Sequence, residues 1–150
     1  LQGKSAVKLG ARALPNIKES RYNRINLFEE ETMDVKDLDE MITTKKRNIR
    51  LFGTGNFRSW MLYFVPGDGT DMHYHSNPET FLVLSGSGVV KGLKGEERPI
   101  RKNEVLFLEA KDYYQITNTG TEPLVLFGNR SEGFGGPHIK EDGSDRNATA

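Results

Sequence analysis

The sequence predicts an all-β fold, a sandwich or small barrel, and three observations carry that reading. From Ile49 to Gly128, short apolar stretches alternate with turn residues at regular intervals, as many short antiparallel strands do. Those stretches are rich in aromatic and β-branched side chains, which suit a pleated, half-buried surface. Helical spacing of apolar residues appears in one short segment, ahead of this region.

Taken in order, residues 1–24 carry Lys4, Lys8, Arg12, Lys18, Arg21 and Arg24 against the single acid Glu19, with Pro15 interrupting them. They show no period and are expected as a loosely attached extension, able to lie along a neighbouring subunit. Between Asp34 and Thr43, Val35, Leu38, Met41 and Ile42 recur at helical spacing, with Lys36, Asp37, Asp39 and Glu40 opposite. Thr32 or Asp34 is the expected cap, and Lys45, Lys46 and Arg47 follow where a helix end favours cations. Strands are then expected over 57–65, 80–84, 88–93, 98–100, 105–108, 113–118 and 124–128. Turn signals such as Ser85-Gly86-Ser87-Gly88, Lys94-Gly95, Lys102-Asn103 and Lys111-Asp112 separate them. The resulting division is an extension with a short helix (1–48), a β-barrel (49–130) and a polar, glycine-rich flexible tail (131–150).

Length and composition bound the function. One hundred and fifty residues suit one core, and 35% hydrophobic with 28% charged residues is polar but globular. Formal net charge is zero, with 21 basic and 21 acidic residues, so the basic excess of a nucleic-acid or anionic-membrane binder is missing. There are no cysteines, which excludes disulfides, thiolate metal sites and cysteine nucleophiles. No apolar run approaches the ~18 residues of a membrane span. The first residue is Leu1 rather than Met, which reads as a trimmed or processed start, and a cytoplasmic location is expected.

The chemistry concentrates between Gly67 and Gly86. His73 and His75 are one residue apart, so in an extended strand both point to the same face. A turn at Ser76-Asn77-Pro78 can bring the Glu79 carboxylate back to meet them. Nitrogen and oxygen donors of this kind suit zinc and divalent iron, manganese, cobalt or nickel. Two histidines and one carboxylate are also the facial triad that leaves coordination positions open. The chain holds three histidines in all, and two of them lie here.

These residues resemble a known family. Gly67, five residues, His73-Tyr74-His75, three residues, Glu79, six residues and Gly86 match the first motif of the cupin superfamily without gap or mismatch. The second motif is similar over Asn103 to Asn118, with Asn103 and Lys111 where the family usually has glycine and Glu109 where it has proline. Tyr114 stands in the place of the fourth ligand, normally histidine. The resemblance implies a double-stranded β-helix, a jelly-roll barrel with a metal inside and a small molecule at its mouth, and a homodimer. It implies His73, His75 and Glu79 as metal ligands. Tyr114, which matches only in position, can ligate as phenolate, can stand back and handle protons, or can line a pocket that holds metal weakly.

Strand parity adds pocket candidates. Phe81 shares a face with Glu79, and Tyr63, Trp60 and Arg58 are substrate-binding candidates on the earlier strand, whose inward parity the intervening loop leaves open. His138 can fold over the mouth, although a solvated histidine in a tail is the expected state. The function expected is a metal-dependent enzyme acting on a small organic substrate, with Tyr114 and Glu79 as catalytic residues. An iron dioxygenase comes first, then non-redox lyase or isomerase chemistry with manganese, nickel or zinc. The alternative is a non-catalytic sensor or carrier module.

Overall fold

A computed structural model of the chain describes residues 33–148. The basic arm of residues 1–24 and the cap candidate Thr32 lie outside the described residues. The chain divides into a first unit, Leu1–Asp34, and a second, Val35–Ala150, which holds all the elements that follow. Those are helix α1 (Leu38–Thr43) and strands β1 (Asn48–Gly53), β2 (Arg58–Phe64), β3 (His73–Tyr74), β4 (Glu79–Ser85), β5 (Ser87–Gly92), β6 (Glu97–Arg101), β7 (Val105–Leu108), β8 (Tyr114–Thr117), β9 (Leu124–Arg130) and β10 (Ile139–Lys140).

Among the described residues the strands form two five-stranded antiparallel sheets, ordered β1-β2-β9-β4-β7 and β10-β3-β8-β5-β6. All seven residues of β2 are buried, because both its faces are covered. Trp60, Leu62 and Phe64 point between the sheets with Phe81 and Val83 of β4, Leu124 and Leu126 of β9, and Ile116 of β8. The alternate residues Met61 and Tyr63 join Leu51 and Val125 on the outer face, where Leu38, Met41 and Ile42 of α1 pack. The sequence left the parity of this strand open, and the structure sets Arg58, Trp60, Leu62 and Phe64 inward.

The helix starts later than its spacing predicted. The Asp37 side chain accepts from the Glu40 amide at 3.1 Å and caps the helix, so Asp34 is not the cap and Val35 is exposed. The larger correction is at the other end. The stretch expected as a flexible tail carries β10, which pairs with β3 in the register Ile139 opposite Tyr74 and Lys140 opposite His73. Asp145 organises the return, accepting from the backbone amides of His138 and Asn147. Polarity and glycine content hid a strand that consists of two residues.

Two backbone details connect the motifs to the fold. Gly67 and Gly86, which bracket the histidine stretch, both have positive φ, the region open to glycine. Asn103 and Lys111, standing where the cupin pattern has glycine, also have positive φ, 70° and 66°. The turns therefore keep their shape although the residues differ. The amide of Lys111 donates to the His75 carbonyl at 2.8 Å, so this turn supports the loop that carries the histidines. Asn118, almost wholly buried, donates from Nδ2 to the carbonyls of Phe64 and Glu122 and joins the end of β2 to the turn before β9.

Candidate metal centre

His73 lies on β3 and His75 one residue past it, and both rings are buried against each other with centroids 4.8 Å apart. His73 Nδ1 donates to the Asp71 carbonyl at 2.8 Å and His75 Nδ1 to the Pro137 carbonyl at 2.6 Å. A carbonyl can only accept, so each Nδ1 carries a proton, and in the neutral ring that leaves the lone pair on Nε2. Histidine ligands of metals are held in this manner, by a backbone carbonyl on the far nitrogen.

A third imidazole completes the group. The His138 ring stacks on His73 at 4.0 Å with 7° between planes and meets His75 at 5.1 Å. Ligand nitrogens of all three lie within 4.8 Å of one another, so every histidine of the chain converges at one point. The expectation of a solvated His138 is thus corrected: β10 brings it over the barrel mouth, where it is buried. Burial lowers the His73 pKa, and burial with the facing His73 lowers that of His138 to about 4. Three imidazoles with ligand nitrogens this close offer a donor set that suits a transition ion, although in this arrangement His138 Nε2 faces Asp71 Oδ1 at 3.3 Å.

Glu79 and Tyr114 reach the same space from opposite sheets. The Tyr114 hydroxyl donates to Glu79 Oε1 in a short, buried hydrogen bond, while that oxygen stands 3.9 Å from His75 Nε2. Burial raises the Glu79 pKa to about 7, and burial with the neighbouring Glu79 pushes the Tyr114 phenol well above its usual value. The tyrosine is therefore a neutral phenol beside a carboxyl group that titrates near neutrality.

The whole cavity measures about 310 Å³, and Arg58, Trp60 and Phe81 also line it, with Phe134 from the C-terminal stretch. The Trp60 and Phe81 rings meet edge to face at 5.5 Å above Gly128, where a Cβ would lie 2.7 Å from each. Tyr63 does not join them. Its odd parity on β2 turns it to the outer face, which corrects its place among the pocket candidates. Arg130 was missed, since β9 runs two residues beyond its expected end; its signal was the alternation Leu124, Leu126, Gly128, Arg130 on one face. No helix among the described residues is long and apolar enough to cross a membrane.

The model of the cupin domain family matches residues 60–127. Together with the two-sheet barrel, that match makes the region over residues 60–127 a cupin domain. Auxin-binding protein 1 of Arabidopsis thaliana is 35% identical over 84 residues, 51% of this chain and 42% of that protein. The chain therefore spans less than half the length of the curated relatives it matches. Among solved structures, BH2720 of Bacillus halodurans superposes with a TM-score of 0.63 at 16% identity, covering 79% of this chain and 90% of that one. TT1209 of Thermus thermophilus gives 0.60 at 21% identity, covering 67% and 98%.

Proposed function

We propose that this chain is a metal-centred cupin module that binds a small organic molecule, and the convergence of its three histidines is the observation that carries the reading. His73, His75 and His138 would hold the ion, with Glu79 the nearest carboxylate. A bound iron, manganese, nickel or zinc ion supplies Lewis acidity and open positions for a ligand oxygen. The carbonyls of Asp71 and Pro137 keep two of the imidazoles in register. Trp60, Phe81 and Phe134 offer apolar surface to the molecule and exclude water around it. Four curated relatives carry the name auxin-binding protein, which makes an auxin the first probe. Pairing through barrel faces, as a homodimer, is part of the same reading, and the exposed Val105 and Phe107 of edge strand β7 support it.

One observation favours an enzyme as the second reading. Tyr114 and Glu79 form a buried donor–acceptor pair beside the imidazoles, able to move a proton between the Tyr114 hydroxyl, Glu79 Oε1 and a bound molecule. An iron-dependent oxygenation is its first form and lyase or isomerase chemistry its second. Purification without a histidine tag or chelator, followed by elemental analysis and calorimetric titration with an auxin, tests the main reading. It expects near one ion per chain and saturable binding that is lost in His75→Ala. Metal without ligand binding, but with oxygen uptake on an organic substrate, moves the conclusion to the enzyme.

A further inference from the structure

Arg58 on β2 and Arg130 on β9 sit directly opposite each other in the antiparallel register, and Glu79 on β4 is opposite Arg130 on its other side. Three ionisable residues thus form one row across the inner face of the sheet, at the cavity wall. Like charges directly opposite on neighbouring strands oppose each other. Both arginines are more than nine-tenths buried, where a charge needs partners at hydrogen-bond distance.

The protein does not supply enough of them. Arg130 Nε is 3.5 Å from Glu132 Oε2 and Arg130 Nη1 is 3.8 Å from Glu79 Oε2, and neither contact has hydrogen-bond geometry. Arg58 reaches the Gly133 carbonyl from Nη1 at 3.4 Å, and its Nε has no acceptor. Glu79 cannot serve both sides fully, because its other oxygen accepts from Tyr114. In a chain of zero net charge, the cavity wall carries five arginines against two acids, Asp71 and Glu79. Such a concave wall with an excess of positive charge concentrates anions.

From this arrangement, and on the reading of the cavity as a ligand site, we infer that Arg58 and Arg130 form an anion subsite for the carboxylate of an organic acid, separated from the three imidazoles by Glu79. Two guanidinium forks on one row match the planar, two-oxygen geometry of a carboxylate. The ligand is then a small acid with two polar ends: a carboxylate on the arginines, and a second oxygen function toward the imidazoles. Glu79 lies between the two subsites, 3.8 Å from Arg130 and 3.9 Å from His75, so the two ends are a few bonds apart.

Glutarate is a suitable probe, with neutral glutaramide as its control, added to the full chain stripped of metal and desalted out of chelator. The inference expects glutarate to move the side-chain Nε–Hε resonances of Arg58 and Arg130 saturably, and glutaramide to leave them in place. Arg130→Met and Arg58→Met should each weaken glutarate binding at least about tenfold, of the size expected for a lost charge-assisted pair. His73→Ala should retain the arginine shifts. Should either methionine variant fail to fold, Arg58→Lys, which keeps the charge and loses the fork, should still weaken binding several-fold. Absent shifts, equal binding of glutaramide, or shifts lost in His73→Ala would each overturn the subsite. Arginine shifts in a chain that takes up no metal would sink the metal-centred function and leave this subsite standing; metal uptake without them would do the reverse.

Discussion

The Tyr114 hydroxyl donates to Glu79 Oε1 across the gap between the two sheets, β8 supplying the donor and β4 the acceptor. Tyr114 in turn pairs in register with His73, and its ring centroid is 4.4 Å from that imidazole. The residue that replaces the fourth cupin histidine therefore secures the carboxylate, while the imidazole count is restored by His138 from the segment leading into β10. The third imidazole of the cluster thus comes from the segment leading into β10 and not from a barrel strand.

Removing His138 should weaken the centre without unfolding the barrel, because β10 contributes two residues and the main core lies elsewhere. His138→Ala is expected to lower metal affinity by about 100-fold or more, at or beyond the upper end of what losing an orienting group costs. Competition against a chromophoric chelator measures it. Unchanged affinity with His138→Ala would return the third nitrogen position to another group.

The metal-free protein should lose stability as pH rises through neutrality. Glu79 is raised to about 7 by burial, so between about 4.5 and 7 the folded state binds a proton that the unfolded state has released, and stability falls with pH. His138, lowered to about 4, and His73, also lowered, act in the opposite sense but only up to their unfolded value of 6.5. Above pH 6.5 the Glu79 slope is the one of the three that remains. Glu79→Gln, which can still accept from Tyr114, should be more stable than the parent at pH 8, with a flatter profile between pH 6.5 and 8. Thermal melts in the two buffers decide; a parent profile as flat as the variant's would contradict the assignment.

The glycine that closes the histidine motif should tolerate no side chain. A Cβ on Gly86 would lie 2.3 Å from the Pro123 carbonyl oxygen, at a φ of +77°. Gly86→Ala should cost about 3 kcal/mol, combining steric overlap with left-handed strain. Urea unfolding gives the value, and a loss below ~1 kcal/mol would show that the turn can shift.

The two residues in glycine-like turns should differ from each other. Asparagine visits the left-handed region readily, whereas lysine does not. Lys111→Gly is expected to stabilise by about 0.5–1 kcal/mol and Asn103→Gly to be neutral within about 0.5 kcal/mol. Equal effects at both sites, again by urea unfolding, would contradict the strain assigned to Lys111.

Much of the barrel was legible because its strands are short, amphipathic and closed by turn residues; the expected 105–108 coincides with β7. The pair His73 and His75 was legible because parity in one strand is a local property. His138 was not: its role depends on a two-residue strand and on Asp145 turning the chain back, neither of which leaves a periodic signal. Tyr63 was misplaced and Arg130 missed for a related reason. Which parity faces the cavity is set by cross-strand register, and the Val65–His73 loop breaks the count from one strand to the next.

The convergence of imidazoles is tested most directly by metal stoichiometry on tag-free protein dialysed against a trace mixture of iron, manganese, nickel and zinc. Close to one ion per chain in the parent, and almost none in a His73→Ala, His75→Ala double variant that keeps the parent circular dichroism, is the expected result. Equal, substoichiometric metal in both proteins would contradict it.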